Sequence, residues 1–229
     1  MAVVHAFLVI FFGLALAAGS SAQNQAPPQK APPVEKLGPS LFRLGQLRVD
    51  TAKQELTAPG TLNDVMTLEF VANTKNGIKA YESAITVESD AITFNAALIL
   101  MGLDPGRGRP SARQFDPATP EGDAVEIHVA WGNRRVRIEE LLLDQRTKTT
   151  LRDGPWVYTG STFYDVGHGR QFLAEVDGVL IGLMHGPAAI IENPRSDAVD
   201  GFGHFVINPR LGIPPGSALT LIIKKLKTR

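Results

Sequence analysis

Cysteine is absent from the 229 residues of the sequence. This absence excludes disulfide bonds, a cysteine nucleophile, a thiolate zinc site and a cysteine-ligated iron–sulfur cluster. We therefore expect no cofactor of the iron–sulfur type. Because 44% of the residues are apolar, a chain of this length can bury a sufficient core without disulfides, and an oxidising compartment remains open to it.

Neither sign of charge is in excess, since 23 Lys and Arg residues balance 23 Asp and Glu residues. A general nucleic-acid binder needs a basic surface that displaces counterions from phosphates, so we expect no nucleic-acid partner. Long apolar runs are also missing after the N-terminal segment. No later part of the chain is therefore expected to cross a membrane.

The N-terminal segment has the pattern of a secretory signal peptide. An apolar stretch covers Ala2–Ala18, and the small residues Ser20 and Ala22 suit the pockets of signal peptidase. This pattern predicts a signal peptide over residues 1–22, cleavage after Ala22 and a periplasmic or secreted mature protein. The alternative is an uncleaved anchor, although the apolar stretch is shorter than the roughly 20 residues that span a bilayer.

Residues 23–40 are rich in proline and are expected to form a disordered, extended linker. They contain Ala26-Pro27-Pro28 and Ala31-Pro32-Pro33. The linker is either a spacer before the folded part, or a tether or proline-rich ligand for a partner. Because a domain has about 100–200 residues, we expect a single folded domain over residues 41–229.

Alternating apolar and polar residues predict many β-strands. Two pairs of predicted strands are joined by turns of hairpin type, namely Ala124–Trp131 and Arg134–Ile138 at Gly132-Asn133, and Phe172–Val176 and Val179–Met184 at Asp177-Gly178. Alternation of helices with parallel strands is absent. These patterns predict sheets that are mostly antiparallel.

Helical patterns are fewer. Ala91–Met101 is expected to be a helix that begins at Ser89 or Asp90 and ends at Gly102. Its predicted buried stripe is Ile92, Ala96, Ile99 and Leu100. Pro187–Asn193 suits a short helix, and Ile138–Asp144 is either one helical turn or a strand. Together with the strands, this predicts a β-rich α+β fold with sandwich-like sheets and two or three short helices.

An ordered string of short motifs resembles one known family. The motifs are Glu69-Phe70-Val71-Ala72, Tyr81–Ile85, Ala91–Leu100 followed by Gly102–Gly106, Val125–Trp131, Glu139–Leu142, Trp156–Ser161 and Ala188–Pro194. In this order they resemble the YdjY-domain family of exported bacterial proteins, over about Leu44–Lys224. The resemblance supplies no established activity and no catalytic residue. Some members carry a ferredoxin-like label, which does not transfer to a chain without cysteine.

Histidines and carboxylates are the residues with metal-ligand chemistry in this sequence. Asp165 lies three residues before His168, and a hairpin between His168 and His185 would bring its ends together. We therefore name His168, His185 and Asp165 as a candidate metal site. The alternative is that these and the other histidines are unrelated surface or loop residues. Ser161 lies in no G-x-S-x-G motif, so no catalytic residue is assigned.

Arginines and aromatic residues give candidates for ligand binding. Arg107 and Arg109 lie in a long loop over residues 104–122, and guanidinium groups suit anionic ligands. Trp156 and Tyr158 are candidates for a surface on which a ligand stacks. The alternatives are a solvated loop and two aromatic residues of the core.

Two classes of function are consistent with these features. The first is a non-enzymatic extracytoplasmic module that binds an unknown protein or small ligand, which the lack of a complete catalytic constellation favours. The second is a metal- or anion-dependent extracytoplasmic enzyme that uses histidines and carboxylates. The residues alone do not name the ligand.

Overall fold

Eight strands close into a barrel in the part of the chain that the structure describes, residues 32–167 and 169–227 of a computed structural model. In the order in which they pair, they are β4 (Glu55–Leu62), β17 (Ala218–Lys225), β7 (Asp123–Trp131), β11 (Trp156–Tyr158), β15 (Ile191–Glu192), β14 (Val179–Gly182), β5 (Phe70–Thr74) and β6 (Ser83–Val87). The pairing of β6 with β4 closes the barrel.

The remaining strands extend or cover this barrel. They are β1 (Val34–Lys36), β2 (Leu41–Leu44) and β3 (Leu47–Asp50) beside β4; β8 (Arg134–Arg137) beside β7; β9 (Leu142–Asp144), β10 (Thr149–Thr150) and β16 (Phe205–Ile207) in a small sheet; and β12 (Phe163–Val166) and β13 (Gly169–Phe172) in a hairpin. The helices are α1 (Ala91–Met101), α2 (Ile138–Leu141), α3 (Leu173–Asp177) and α4 (Asp197–Asp200). None of the helices in the described ranges is long and apolar enough to span a membrane.

The fold class is α+β and β-rich, as the sequence predicts, but a closed barrel replaces the expected sandwich. Most pairings are antiparallel, while β14 with β15 and β5 with β6 are parallel. Closure depends on β4, for which the sequence patterns gave no strand because Pro59 and Gly60 interrupt it. A Cβ atom at Gly60 would lie 2.7 Å from the carbonyl oxygen of Thr86, so glycine is what allows β4 and β6 to pair this closely.

Helix α1 has the predicted bounds. The Asp90 side chain accepts a hydrogen bond from the backbone nitrogen of Thr93, and Gly102 ends the helix with φ 108°. The predicted buried stripe is only partly correct. Ile92, Ala96 and Leu100 are partly buried against the core, but Ile99 is 43% exposed, and the fully buried residues include Phe94 and Leu98. Apolar residues occur on all faces of this helix, so its sequence contains no periodicity that distinguishes the packed face.

Local turn chemistry predicted one hairpin correctly and the other wrongly. β7 and β8 are joined at Gly132-Asn133, and Gly132 has φ 53°. The expected strand over Phe172–Val176 is instead the end of β13 followed by α3, and Gly178, with φ 72°, ends that helix. Asp177-Gly178 is therefore a helix end, and glycine suits both situations because each needs a positive φ.

Two further predictions concern ambiguous apolar runs. The predicted helix over Pro187–Asn193 is wrong, because Ile191 and Glu192 form β15 between β11 and β14. Pairing with two barrel strands outweighs the local helix signals there. Over Ile138–Asp144 both alternatives hold in succession, since α2 is followed directly by β9.

A strand among the described residues precedes the predicted domain boundary at residue 41. β1 pairs with β2 in the antiparallel register Val34↔Leu44, which the linker prediction over residues 23–40 did not include. Pairing is possible because Val34–Lys36 follows the last proline pair and has free backbone donors. The predicted signal peptide and the linker residues 23–31 lie outside the described residues.

Candidate functional site

A pocket of about 240 Å³ opens where the start of β5 meets the loop that follows β14. We call it the Glu69 pocket. Phe70 is the first residue of β5, Glu69 directly precedes that strand, and Asp177 is the last residue of α3. The other lining residues are Lys79, Gln114, Met184, His185, Gly186, Pro187, Ala188 and Ala189. A concave site with a few polar groups among apolar ones is the usual form of a small-ligand site.

Glu69 is an almost fully buried carboxylate in the pocket wall. Its side chain is held by Gln114, whose Nε2 donates to Oε2 at 3.2 Å, and the residue is 8% exposed. Its other oxygen, Oε1, accepts no hydrogen bond from a described residue and is accessible from the pocket. Burial raises the pKa of Glu69, and repulsion from Glu82 raises it further. Glu69 therefore has one acceptor position left for a ligand.

Asp177 and Lys79 are the other charged groups of the wall. Burial raises the pKa of Asp177, which accepts no side-chain hydrogen bond from the described residues. Lys79 is already paired, because its Nζ donates to Oε1 of Glu82 at 2.8 Å and lies 5.7 Å from the centroid of the Phe70 ring. That hydrogen bond raises the pKa of Lys79. The pocket thus has more negative than positive charge.

His185 links the wall of the pocket to two neighbouring segments of the backbone. It is 2% exposed, its Nδ1 lies 2.5 Å from the carbonyl oxygen of Asp116, and its Nε2 lies 2.9 Å from that of Asn193. Carbonyl oxygens only accept hydrogen bonds, so both ring nitrogens face acceptors. The imidazole joins the long loop, the wall and the segment after β15. A metal ion could take a ring nitrogen only after one of these contacts is broken.

Glu192 and Ser161 also stabilise the wall, because each forms a hydrogen bond with its backbone. Glu192 is fully buried and accepts hydrogen bonds from the hydroxyl of Ser111 at 2.5 Å and from the backbone nitrogen of Gly186 at 3.3 Å. Burial raises the pKa of the Glu192 carboxyl. The Ser161 hydroxyl donates to the carbonyl of Ala188 at 2.8 Å, which occupies it as a structural group. The hydrogen bonds of His185, Glu192 and Ser161 therefore hold the pocket wall in place in the absence of a ligand.

The structure describes two of the three predicted metal ligands. Asp165 lies on the β12–β13 hairpin with a side chain that is 91% exposed, and its nearest cation is the Nε of Arg170 at 3.8 Å. His185 is buried in the contacts given above, and His168 lies outside the described residues. Among the described residues, no group of three or more His, Asp or Glu side chains is arranged to hold a metal ion. The three-residue metal site stays a prediction.

The predicted aromatic ligand residues belong to the core. Trp156 and Tyr158 are both fully buried on β11. The indole nitrogen of Trp156 donates to Glu139 at 3.0 Å, and the hydroxyl of Tyr158 donates to Asn95 at 2.7 Å. Neither ring offers a face on which a ligand can stack. Burial raises the pKa of Tyr158 well above its usual range.

The predicted anion-binding arginines are engaged within their own part of the chain. Nη1 of Arg107 lies 3.1 Å from Asp123, and its Nε lies 3.6 Å from Asp104. Nη1 of Arg109 donates to the carbonyl of Gly108 at 2.7 Å. Both arginines are exposed, but each has part of its guanidinium occupied by the loop. Sequence reasoning missed Glu69, Lys79 and Asp177 as site residues because no spacing links them.

A family model of the YdjY domain matches residues 47–205 of this chain. The chain belongs to the YdjY-domain family. This confirms the resemblance drawn from the motifs. The match includes every residue that lines the Glu69 pocket, whereas β17 of the barrel follows the matched part of the YdjY domain. No curated protein and no solved structure matches the chain.

We expect the Glu69→Gln variant to be more stable than the parent YdjY domain at pH 7. The folded-state pKa of Glu69 is raised, so its stabilising contribution is complete below about pH 4.5 and is lost as the pH rises through the folded pKa. Glutamine carries no charge to bury. The gain in unfolding free energy should be of the order of 1 kcal/mol at pH 7 and should vanish near pH 4. Urea unfolding at both pH values measures it.

The exposed residue Glu121 provides the control for this comparison. Its Glu121→Gln variant should match the parent at both pH values. A Glu69→Gln variant that is less stable than the parent at pH 7 would show that the carboxylate is a structural group instead of a ligand-binding one.

Proposed function

We propose that this chain is exported and acts outside the cytoplasm as a non-enzymatic binding module, with the Glu69 pocket as its binding site. The signal-peptide pattern over residues 1–22 supports export. The pocket supports binding, because its polar groups converge on one cavity and its wall is fixed by His185, Glu192 and Ser161. The ligand is a small molecule, since about 240 Å³ is below the usual range for drug-sized ligands.

One observation carries this proposal. Glu69 is 8% exposed and its carboxylate stays incompletely hydrogen-bonded at the cavity surface. An ionised group that is buried without full compensation lowers stability. Groups of this kind cluster at binding and catalytic sites, where a ligand supplies the missing partner. Binding is favoured over catalysis because the described lining residues include no hydroxyl or thiol nucleophile and no histidine nitrogen that is free of a backbone carbonyl.

A second candidate is an enzyme that uses Glu69 and Asp177 for acid–base chemistry. Burial raises the pKa values of both carboxyls, which brings them closer to the range where a carboxyl transfers protons near neutral pH. The metal-dependent form of this enzyme would need the predicted metal site of His168, His185 and Asp165. Mass spectrometry of a bound compound before and after incubation separates the two candidates, because only an enzyme changes the compound.

Binding at the pocket is tested by a thermal-shift screen of a fragment library that contains neutral, anionic and cationic compounds. Fragments that raise the melting temperature of the parent should fail to raise that of Ala188→Phe, whose new ring fills the cavity. Gly186→Phe serves as a second blocking variant, since a Cβ atom there meets no atom within 4 Å. Fragments that shift the parent and both variants equally would exclude the pocket as the site.

Export is tested by fractionation of cells that express the full chain. The mature protein should leave the cytoplasm and begin at Gln23 on N-terminal sequencing. Recovery of the uncleaved chain in the membrane fraction would support the anchor alternative. Recovery in the cytoplasm would overturn the proposed location without affecting the pocket.

A further inference from the structure

We propose that the Glu69 pocket binds a small organic cation, a primary ammonium group on a short apolar body. This inference rests on the proposed binding function and names the class of ligand. Three features of the wall lead to it: the balance of charge, the balance of donors and acceptors, and the distribution of apolar surface.

The charges of the wall leave a negative excess. Glu69, Asp177 and the adjacent Glu82 are carboxylates, and Lys79 is the one cationic side chain among the described lining residues. Lys79 is neutralised by Glu82 at 2.8 Å. An anionic ligand would have to displace Glu82 and approach two further carboxylates. A cationic ligand instead relieves the repulsion that the carboxylates exert on one another.

The hydrogen-bonding groups of the wall point to the same class. The side-chain donors of Gln114 and Lys79 are directed to Glu69 and Glu82. Among the described lining residues, the side-chain oxygens that accept no hydrogen bond are Oε1 of Glu69, the carboxylate oxygens of Asp177 and the amide oxygen of Gln114. A ligand that pairs with these acceptors must bring donors. An ammonium group carries three donors and no acceptor, and its bonds to carboxylates are charge-assisted.

The apolar part of the wall accounts for the body of the ligand. Phe70, Met184, Pro187 and Ala188 contribute apolar surface beside the carboxylates. A hydrated metal ion gains nothing from such surface, whereas an alkyl chain does. The absence of a three-carboxylate or histidine cluster among the described residues also argues for an organic cation over a metal ion.

The test uses four probes on the full-length mature chain: n-pentylammonium, 1-pentanol, pentanoate and calcium chloride. Backbone amide NMR shifts of Gly186, Ala188 and their neighbours report binding at the pocket. Pentylammonium should bind about tenfold more tightly than pentanol, which has the same body without the charge. Its affinity should fall as the pH is lowered through the pKa values of Glu69 and Asp177. Pentanoate should cause no shift at these amides.

The variants Glu69→Gln and Asp177→Asn should each weaken pentylammonium binding by about tenfold. Asp165→Asn removes an exposed carboxylate on β12 and should leave the affinity unchanged. Thermal melts of each variant confirm folding. Two carboxylate variants are used so that a folding defect in one still leaves the other as a test.

The outcomes separate the ligand class from the proposed function. If pentanol or pentanoate binds at the pocket as tightly as pentylammonium, the organic-cation proposal is contradicted and the proposed binding function is retained. If calcium binds more tightly than pentylammonium and the Glu69→Gln variant loses this binding, the ligand is a metal ion and the organic-cation proposal is contradicted. If both carboxylate variants bind pentylammonium as tightly as the parent does, the organic-cation proposal is also contradicted. No shift at the pocket amides with any of the four probes contradicts the organic-cation proposal, whereas the fragment screen with the two blocking variants decides the binding function independently.

Discussion

Replacement of Glu139 by Ala is expected to lower the free energy of unfolding by about 3–5 kcal/mol, the usual effect of removing one partner of a buried ion pair. Glu139 is fully buried on α2. Its Oε1 accepts hydrogen bonds from Arg195 at 2.8 Å, from Trp156 at 3.0 Å and from Arg137 at 3.2 Å. The variant leaves the Arg195 guanidinium buried without its carboxylate, and Arg195 is only 7% exposed.

The matched control breaks an ion pair of the same chemistry at the surface. Glu35→Ala removes the partner of Arg43, and the side chains of this pair are 44% and 50% exposed. Exposed pairs contribute about 0–1 kcal/mol, so the loss should lie in that range. Urea unfolding of the parent and the two variants measures both effects. An effect of Glu139→Ala no larger than that of Glu35→Ala would contradict the role assigned to the buried network.

The second large effect is expected for Gly122→Ala. A Cβ atom at Gly122 would lie 1.9 Å from the carbonyl oxygen of Tyr158, and one at Gly108 would lie 2.0 Å from that of Thr159. Two parts of the long loop therefore pack their backbone against the last residue of β11 and the residue that follows it. The barrel strand and the loop must separate to admit the methyl group. We expect a loss of about 3 kcal/mol or more, at the upper end of overpacking effects.

Gly167→Ala is the control for this prediction. A Cβ atom at Gly167 meets no atom of a described residue within 4 Å, and its backbone φ is not among the positive ones. Its melting temperature should stay within a degree or two of the parent value, whereas that of Gly122→Ala should fall by about 10 °C or more if the variant folds at all. Equal melting temperatures for the two variants would show that the loop does not need to lie against β11.

Features that depend on neighbouring residues could be predicted from the sequence. The bounds of α1 follow from an N-terminal Asp90 and a C-terminal Gly102, and the β7–β8 hairpin follows from Gly132-Asn133. The strand β7 follows from strict alternation, in which Val125 and Ile127 are fully buried. Each of these signals lies within a few residues of the element that it specifies.

Features that depend on distant residues could not be predicted. The barrel closes through β4, but Pro59 and Gly60 interrupt the strand pattern in the sequence. The need for glycine at position 60 becomes clear only from the close approach of the Thr86 backbone. The candidate site combines Glu69, Gln114 and Asp177, which are far apart along the chain. The predicted metal ligand His185 is instead held by backbone carbonyl groups of two other segments. No local pattern encodes such contacts.

The position of β17 has a consequence for the order of events during synthesis. This strand is the one nearest the C-terminal end of the sequence, yet it lies between β4 and β7 and pairs with both. The barrel therefore cannot close until residues 218–225 have been synthesised and can pair with β4 and β7. Pairings between such remote segments also make folding slow. Late closure of the barrel would keep the chain unfolded for longer, which is what passage through a secretion channel needs if the proposed export is correct.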